Sequence, residues 1–267
     1  PVQTSGGPYP VVVFSHCHSC IRFSAFSMAE MLATHGYVVV APDHQGDTLY
    51  DRLEGRPSPL NGAVLESRAS QIIAAVDALM LGHPQIPAEL KIDPERMGVV
   101  GHSFGAVTMG LVMQTNDHFS AGVAVAAPIE NPLIPGVRIA EHKHPLLYLL
   151  ATEDNSITAL GNALLRRNYE AHPVAAWKIE VEDAGHWSFS DICGLTDFLQ
   201  PGCGQAQRQT DPSNTVVYLD NTHARAIANR AILTFFDYTL KDDPAARLRL
   251  ESAQERPEVS LEFHQGK

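Results

Sequence analysis

The sequence predicts an α/β fold in which a mostly parallel central sheet carries helices on both faces. Short aliphatic and β-branched runs alternate along the chain with longer amphipathic segments, the order typical of repeated β-α-β units. The aliphatic runs are continuous rather than alternating with polar residues, as in strands buried on both faces of a sheet. No break in composition marks a second domain, so we expect a single domain spanning residues 1–267.

Each element is predicted from its own local pattern. Strands are predicted where apolar runs end at polar residues or proline: 11–14, 37–41, 97–100, 121–127, 146–151 and 177–181. Helices are predicted where apolar residues recur every three or four positions: 24–35, 64–81, the stretch after 105 up to 113, 156–171 and 222–240. The regions 43–63 and 187–221 lack this period and are long for plain connections, which is typical of functional loops.

Composition and charge exclude several classes of function. The apolar share of 45% and the charged share of 18% are those of a globular protein. A net charge of −11, from 19 Lys+Arg against 30 Asp+Glu, disfavours a polyanionic partner, so we expect no nucleic-acid binding. No apolar run reaches the roughly 18 residues of a membrane span. We expect no cofactor, and the sequence leaves the oligomeric state open.

The four cysteines bear on the cellular compartment. Cys193 and Cys203 bracket a short loop rich in glycine and proline, and we predict that they form a disulfide. That bond would indicate a secreted or periplasmic protein, whereas free thiols would fit the cytoplasm. Cys17 and Cys20 remain open between free, paired and functional states. Because the sequence starts at Pro1, we expect a preceding segment, with a signal peptide among the candidates.

A candidate nucleophile lies in the sequence Gly-His-Ser-Phe-Gly at residues 101–105. The G-x-S-x-G pattern carries chemistry when a strand precedes it and a helix follows, and both conditions hold here. The sharp turn then raises Ser103 above the carboxyl edge of the sheet. This context is the nucleophile elbow of the α/β-hydrolase fold, so we predict that fold and Ser103 as its nucleophile.

A serine hydroxyl becomes a good nucleophile only when a neighbouring base accepts its proton. In this fold the partners follow the serine in the order acid, then histidine. Of thirteen histidines, His186 follows the predicted strand 177–181, late in the chain, where a loop can return over Ser103. His102 would point away from the nucleophile across the turn, and His223 is expected on the surface of the last helix.

The acid that orients the base is expected at the end of the strand 146–151. Asp154 is the predicted acid, with Glu153 as second choice. Asp183 is close to His186 in the sequence but would need a tight local geometry, so we expect it to make turn contacts instead.

Acyl transfer also needs two backbone N–H groups that stabilise the developing oxyanion, each worth about 3 kcal/mol. The residue after the nucleophile, Phe104, is expected to supply one of them. The loop after the first strand is expected to supply the other, at Cys17 or His18.

Four segments carry a resemblance to a known family. They read P-V-V-V-F-S-H at 10–16, H-G-Y-V-V-V-A-P-D-H at 35–44, G-H-S-F-G at 101–105 and G-H-W-S-F-S-D at 185–191. Together they resemble the platelet-activating factor acetylhydrolase and predicted dienelactone hydrolase branch of the α/β-hydrolase superfamily. Cutinase-like polyester hydrolases show a related layout. The motifs spread from about residue 10 to 240, so the resemblance covers most of the chain.

The resemblance implies that His18 supplies the second oxyanion N–H group. The chain departs from the family at Cys17, where glycine is usual, and at Ser19 or Cys20, where a second glycine is common. Cysteine in place of glycine would put a side chain beside the acyl pocket. Related enzymes also place the acid directly before a Ser/Thr-Ile pair, whereas here Asn155 intervenes.

The motifs together predict a serine hydrolase of the carboxylesterase type, acting through an acyl-enzyme intermediate on small-molecule, extended or polymeric esters. A lipase, a polyester hydrolase or a phospholipid deacetylase similar to platelet-activating factor acetylhydrolase is the alternative within this class. The segment between residues 127 and 146 is too short for a large lid domain.

Three other classes compete with this prediction. Cys17 and Cys20, after a strand and before a helix, also fit the redox motif of a thiol-disulfide oxidoreductase, but the chain is far longer than a thioredoxin domain. A metal site built from His16, Cys17, His18 and Cys20 has suitable ligand types. Neighbouring residues of an extended segment point in opposite directions, however, which disfavours that site. A non-catalytic binding protein of the same fold would usually lack one of the three predicted catalytic residues.

Overall fold

A seven-stranded sheet forms the centre of the computed structural model, which describes residues 6–252 and 256–266. The strands of the chain are β1 (Tyr9–Ser15), β2 (Val38–Val40), β3 (Ile92–His102), β4 (Phe119–Val125), β5 (Leu146–Ala151), β6 (Val174–Val181), β7 (Gln205–Gln207), β8 (Thr215–Val217) and β9 (Val259–Gly266). The sheet order is β2-β1-β3-β4-β5-β6-β9, while β7 and β8 form a separate hairpin. All pairs in the large sheet are parallel except β6 with β9. The predicted, mostly parallel sheet is confirmed.

Helices cover both faces of this sheet. They are α1 (Phe26–Thr34), α2 (Leu49–Leu53), α3 (Gly62–Met80), α4 (Phe104–Thr115), α5 (Thr158–Ala171), α6 (Asn221–Leu240) and α7 (Pro244–Glu251). Successive side chains of a strand point to opposite faces, so Val12 and Phe14 of β1 enter one core and Val11 and Val13 the other. Helices α1, α6 and α7 cover the first core, and α3, α4 and α5 cover the second.

The region 43–63 contains more regular structure than the sequence predicts. Thr48 accepts a hydrogen bond from the N–H of Asp51, whose carboxylate accepts one from the N–H of Thr48. This capping box stabilises the short helix α2. Asn61 accepts a hydrogen bond from the N–H of Val64 at 3.0 Å, so α3 begins at the glycine after Asn61.

Two elements near the end of the chain extend the prediction. Asp243 caps α7 by accepting a hydrogen bond from the N–H of Ala245 at 2.9 Å. In β9 the buried residues Val259 and Leu261 alternate with exposed ones, and the strand adds an antiparallel edge to the sheet. None of the helices in residues 6–252 and 256–266 has the length and apolar composition needed to cross a bilayer.

The parallel topology brings the predicted site residues to one edge of the sheet. Strands β3, β5 and β6 are parallel neighbours of β4 or of each other, so their carboxyl ends meet at the same edge. Ser103 directly follows β3, Asp154 lies three residues after β5, and His186 lies five residues after β6. Ligands of open α/β sheets bind at this edge.

Candidate active site

Ser103 occupies a strained turn between β3 and α4. Its backbone has φ 58° and ψ −123°, a region that residues with a side chain rarely adopt. The N–H of Ser103 donates to the carbonyl oxygen of Val125 at 2.8 Å, which holds the turn against β4. Such strain persists where the surrounding structure enforces it, and it is typical of functional sites.

Two glycines permit this turn. A Cβ atom at Gly101 would lie 2.0 Å from the carbonyl oxygen of Gly105. A Cβ atom at Gly105 would lie 2.0 Å from the carbonyl oxygen of Ser15 at the end of β1. Real Cβ atoms do not approach backbone so closely, so any side chain at either position would force β3, α4 and β1 apart. Strand β3, helix α4 and the end of β1 therefore pass very close to one another at these two glycines.

His186 bridges Ser103 and Asp154. Its Nε2 atom lies 2.8 Å from Ser103 Oγ, and its Nδ1 atom lies 2.7 Å from Asp154 Oδ2. The imidazole is 2% exposed and Asp154 is fully buried, whereas Ser103 is half-buried and reaches the cavity. The three side chains that the sequence singled out as nucleophile, base and acid therefore lie in one hydrogen-bonded row.

The second oxygen of Asp154 is also fixed. Asp154 Oδ1 accepts hydrogen bonds from the N–H groups of Ser156 at 2.9 Å and Ile157 at 3.0 Å. The intervening Asn155 turns outward and donates from Nδ2 to the Tyr218 hydroxyl at 2.8 Å. The extra residue before the Ser-Ile pair therefore does not remove the carboxylate from His186.

The rival acids and one rival histidine have other partners. Arg208 binds Glu153 at 2.9 Å and Asp183 at 2.8 Å, so both carboxylates hold a neighbouring segment rather than the imidazole. His223, at the start of α6, lies 2.6 Å from the carboxylate of Glu258.

His102 supports the base from the side away from Ser103. Its Nε2 atom donates to the backbone carbonyl oxygen of His186 at 3.0 Å, and its ring packs edge-on against Trp187 at 5.3 Å. Burial, followed by the nearby His186, lowers the pKa of His102 to about 3, so the ring is neutral. His102 therefore lies away from the nucleophile, as its position in the turn predicts, while its contact with the His186 backbone has no signal in the sequence.

The loop after β1 reaches the cavity that Ser103 lines. Cys17 and Cys20 form a disulfide in this loop, and both side chains are fully buried. His18 lines the cavity in front of Ser103, and its Nδ1 atom lies 2.7 Å from the buried carboxylate of Asp47. Asp47 was not singled out in the sequence. Within the described residues, no group of three or more His, Cys, Asp and Glu side chains is arranged to hold a metal ion.

The other predicted oxyanion donor, Phe104, is the first residue of α4. Its N–H group belongs to the first turn, where no intrahelical acceptor exists. The helix N-terminus also carries partial positive charge, which favours a developing anion beside it.

A cavity of about 410 Å³ opens in front of Ser103. Its lining is mostly apolar and comes from the loop after β1, the loop before α3, the Ser103 turn with the start of α4, the segment after β4, and α5 with the residues just before it. The lining residues are His18, Leu60, Ser103, Phe104, Val107, Ala127, Pro128, Asn131, Leu133, Ile134, Ser156, Ile157, Leu160, Gly161 and Leu164. Leu60, Leu133 and Leu160 are exposed, at 49%, 77% and 63%. Of the two long irregular regions, 43–63 contributes Leu60 to this cavity, whereas 187–221 contributes none of its lining residues and packs against the residues that follow His186.

The predicted Cys193–Cys203 disulfide is present in the region 187–221. The N–H of Trp187 donates to the carbonyl oxygen of Pro201 at 2.8 Å, so the disulfide-closed loop packs against the residue after His186. Both disulfides join one apolar cluster: Cys17, Cys20, Trp187, Ile192 and Leu199, with Cys193 and Phe198 at its edge.

Two comparisons with individual proteins agree with this architecture. The structure superposes on a ferulic acid esterase from Streptomyces cinnamoneus with a TM-score of 0.69 and 24% identity, covering 96% of this chain and 74% of that one. In sequence, the chain is 25% identical over 159 residues to platelet-activating factor acetylhydrolase from Bos taurus. That match covers 46% of this chain and 36% of the relative, so the chain matches about a third of that protein's length.

The family itself is given by a longer match. The model of the dienelactone hydrolase family matches residues 1–191, which is more than half of the chain and includes the strands from β1 to β6, Ser103, Asp154 and His186. With the observed sheet order and the esterase of similar fold, this match places the chain in the α/β-hydrolase superfamily, as a member of the dienelactone hydrolase family of hydrolases.

Proposed function

We propose that this chain is a serine carboxylic-ester hydrolase with Ser103 as nucleophile, His186 as general base and Asp154 as the orienting acid. The observation that carries the proposal is the row of two hydrogen bonds, 2.8 Å from His186 Nε2 to Ser103 Oγ and 2.7 Å from His186 Nδ1 to Asp154 Oδ2. An ionised carboxylate can only accept, so Asp154 favours the tautomer with the proton on Nδ1. Nε2 is then free to accept the Ser103 proton.

The first half-reaction forms an acyl-enzyme. Ser103 Oγ attacks the ester carbonyl carbon while its proton moves to His186 Nε2, and the carbonyl oxygen becomes an oxyanion. The N–H groups of Phe104 and His18 stabilise that oxyanion, and Asp154 stabilises the imidazolium. When the tetrahedral intermediate collapses, His186 returns the proton to the departing alkoxide, which leaves as an alcohol.

The second half-reaction releases the acid. A water molecule gives a proton to His186 Nε2 and attacks the acyl carbon, and the same two N–H groups stabilise the second oxyanion. Collapse of this intermediate returns the proton to Ser103 Oγ and frees a carboxylic acid. No cofactor takes part in these steps.

The cavity favours esters with an apolar group next to the scissile bond. Its walls are mainly aliphatic, and its volume of about 410 Å³ accommodates a small acyl or alcohol group. The three exposed leucines at its edge, Leu60, Leu133 and Leu160, favour the alternative of a lipid, phospholipid or polyester substrate, whose apolar part continues across the surface.

Turnover of p-nitrophenyl esters tests the proposed residues. Ser103→Ala should lower kcat on the order of 10⁴-fold or more, because the nucleophile is lost. Asp154→Asn should lower kcat by about 10⁴-fold, since the amide favours the wrong tautomer of His186. The matched control is Asp183→Asn, whose carboxylate pairs with Arg208 instead, and it should keep a kcat close to the native value. Native turnover by Ser103→Ala would refute the proposal.

A substrate series separates the two substrate classes. Acetyl, butyryl, octanoyl and palmitoyl p-nitrophenyl esters, a phospholipid with a short acyl chain and a polyester film would be compared at one pH. A small-ester esterase should peak in kcat/KM at the short chains. A peak at long chains, or release of acid from the film or the phospholipid, would favour the lipase, polyester hydrolase or phospholipid deacetylase alternative.

Compartment and domain organisation belong to the same proposal. Both cysteine pairs are disulfides, which supports an exported protein in an oxidising compartment. The seven-stranded sheet includes both β1, near the start of the chain, and β9, near its end, which supports a single domain over 1–267. Thiol titration of the purified protein, unfolded in denaturant without a reducing agent, should detect no free thiol. Detection of four free thiols would contradict export.

A further inference from the structure

The turn that carries His18 contains a residue in an unfavourable conformation. Ser19 has φ 54°, in the left-handed region, and is fully buried. The N–H of Cys20 donates to the carbonyl oxygen of Cys17 at 3.3 Å, which closes the turn together with the disulfide. A non-glycine residue keeps such a conformation only where surrounding contacts enforce it. The turn therefore needs an anchor outside residues 17–20.

Asp47 supplies that anchor from the loop before α2. Its Oδ1 atom accepts the N–H of Ser19 at 3.0 Å and lies 2.7 Å from His18 Nδ1. One carboxylate oxygen thus contacts both residues that follow Cys17, and it binds the N–H group of the left-handed residue itself. Asp47 is 2% exposed, so these contacts do not compete with bulk water.

Arg68 fixes Asp47 in turn. This residue of α3 is 1% exposed, and its Nη1 atom pairs with Asp47 Oδ2. Burial tends to raise the pKa of Asp47, but the adjacent His18 imidazole, the charge of Arg68 and the Ser19 N–H outweigh it, and the pKa lies below its ordinary value. Asp47 is therefore ionised, which gives stronger hydrogen bonds than a neutral group.

The same guanidinium reaches the other side of the proposed oxyanion hole. Arg68 donates to the carbonyl oxygen of His16 at the start of the turn and to Thr108 Oγ1 of α4 at 3.1 Å. Its guanidinium carbon lies 4.8 Å from the centre of the Phe104 ring. The ion pair thus connects the loop of one proposed oxyanion donor to the helix of the other.

We propose that Asp47, anchored by Arg68, is a positioning residue that holds the turn 17–20 so that the His18 N–H faces the oxyanion. The inference rests on the proposed serine hydrolase function. Oxyanion donors act within a few tenths of an ångström, and a misplacement of about 1 Å can cost on the order of 100-fold in rate. Asp47 touches no reacting atom and acts through Ser19 and His18.

Asp47→Asn tests the role with the smallest change in shape. The amide oxygen can still accept the Ser19 N–H, but the charge toward Arg68 and His18 is lost. We expect kcat for p-nitrophenyl butyrate to fall by about 10- to 100-fold with little change in KM. The inhibition constant of a trifluoromethyl ketone, whose adduct with Ser103 carries an oxyanion, should rise by the same factor.

Asp43→Asn is the matched control. Asp43 lies four residues earlier in the same loop and accepts the N–H and Nε of Arg22 at 2.7 Å, just after the turn 17–20. Its substitution should leave kcat and the inhibition constant near their native values. Equal losses in both variants, a native kcat in folded Asp47→Asn, or a rise in KM alone would overturn the positioning role.

Asp47→Asn leaves the buried Arg68 without its counter-charge, so this single variant can fail to fold. The double variant Asp47→Asn/Arg68→Met removes both charges, and its thermal unfolding shows whether the fold persists. A folded double variant with native kcat and native ketone inhibition would overturn the inference. Ser103→Ala separates the two proposals. Full activity of Ser103→Ala would refute the serine hydrolase mechanism. An inactive Ser103→Ala together with native kcat in Asp47→Asn would refute only the positioning role of Asp47.

Discussion

At the scale of single residues, Ser19 carries an unfavourable backbone conformation without using its side chain. Its φ of 54° costs about 1 kcal/mol or more for a residue with a Cβ atom. Its hydroxyl is buried and has no hydrogen-bond partner within the described residues. Glycine removes both costs, so we expect Ser19→Gly to raise the free energy of unfolding by about 1 kcal/mol in urea titrations.

Ser24→Gly is the control for that prediction. Ser24 is also buried with an unpartnered hydroxyl, but it lies in a short 3₁₀ helix, Arg22–Ala25, where glycine has no conformational advantage. This variant should lose about 0.5–1 kcal/mol. If both variants shift stability in the same direction, the left-handed backbone of Ser19 is not the cause.

Ser103, Asp154 and His186, which the structure brings into hydrogen-bond contact, could be selected from the sequence because each follows an apolar run that is easy to recognise as a strand. Asp47 and Arg68 could not be selected in this way, because their contacts are with partners distant in the chain. One signal was present for Arg68, which lies in the apolar stripe of α3 three residues after Leu65, where a buried cation needs a counter-charge. The sequence contains no comparable signal for its partner in the loop.

At the scale of elements, the two disulfides close loops of different length. Cys193 and Cys203 are ten positions apart, and Cys17 and Cys20 are three apart. Chain-entropy arithmetic gives about 3 kcal/mol for the longer loop and about 2 kcal/mol for the shorter. In urea titrations we expect the variant with serine at both Cys193 and Cys203 to lose more free energy of unfolding than the variant with serine at both Cys17 and Cys20. The reverse order would show that packing of the cluster around Trp187, rather than loop closure, sets the stabilisation.

The predicted elements and the missed ones differ in how they are stabilised. The buried strands and long helices have continuous or periodic apolar residues, so their sequences are sufficient to predict them. The short helix α2 depends on the capping box of Thr48 and Asp51. Strand β9 depends on pairing with β6, and the sequence does not show which strand β9 will pair with. Local sequence patterns are weak for both because their stabilising contacts are few or distant.

At the scale of the whole molecule, the histidines buried in the fold make stability depend on pH. Burial is the largest cause that lowers the pKa of His16 and His102 to about 3, and of His142 and His172 to about 4. In the unfolded chain these histidines become protonated below about pH 6.5. In the folded chain they stay neutral until the pH falls to about 4 or lower. Stability is therefore fully present above pH 6.5 and falls as the pH drops, by about 1.4 kcal/mol per pH unit for each group.

His142 offers the clearest test of this dependence. Its ring is 3% exposed, and neither nitrogen has a hydrogen-bond partner within the described residues. We expect His142→Leu to raise the free energy of unfolding by about 1 kcal/mol at pH 7, because a buried polar group without a partner is removed. Between pH 6 and pH 5 the decline should be shallower by about 1.4 kcal/mol per pH unit, since one fewer proton is taken up on unfolding. Urea titrations at pH 7, 6 and 5 measure both effects.

His118→Gln, at an exposed position, is the control and should leave the slope of the free energy of unfolding against pH unchanged. An unchanged slope in His142→Leu would show that protonation of His142 does not drive the loss of stability in acid.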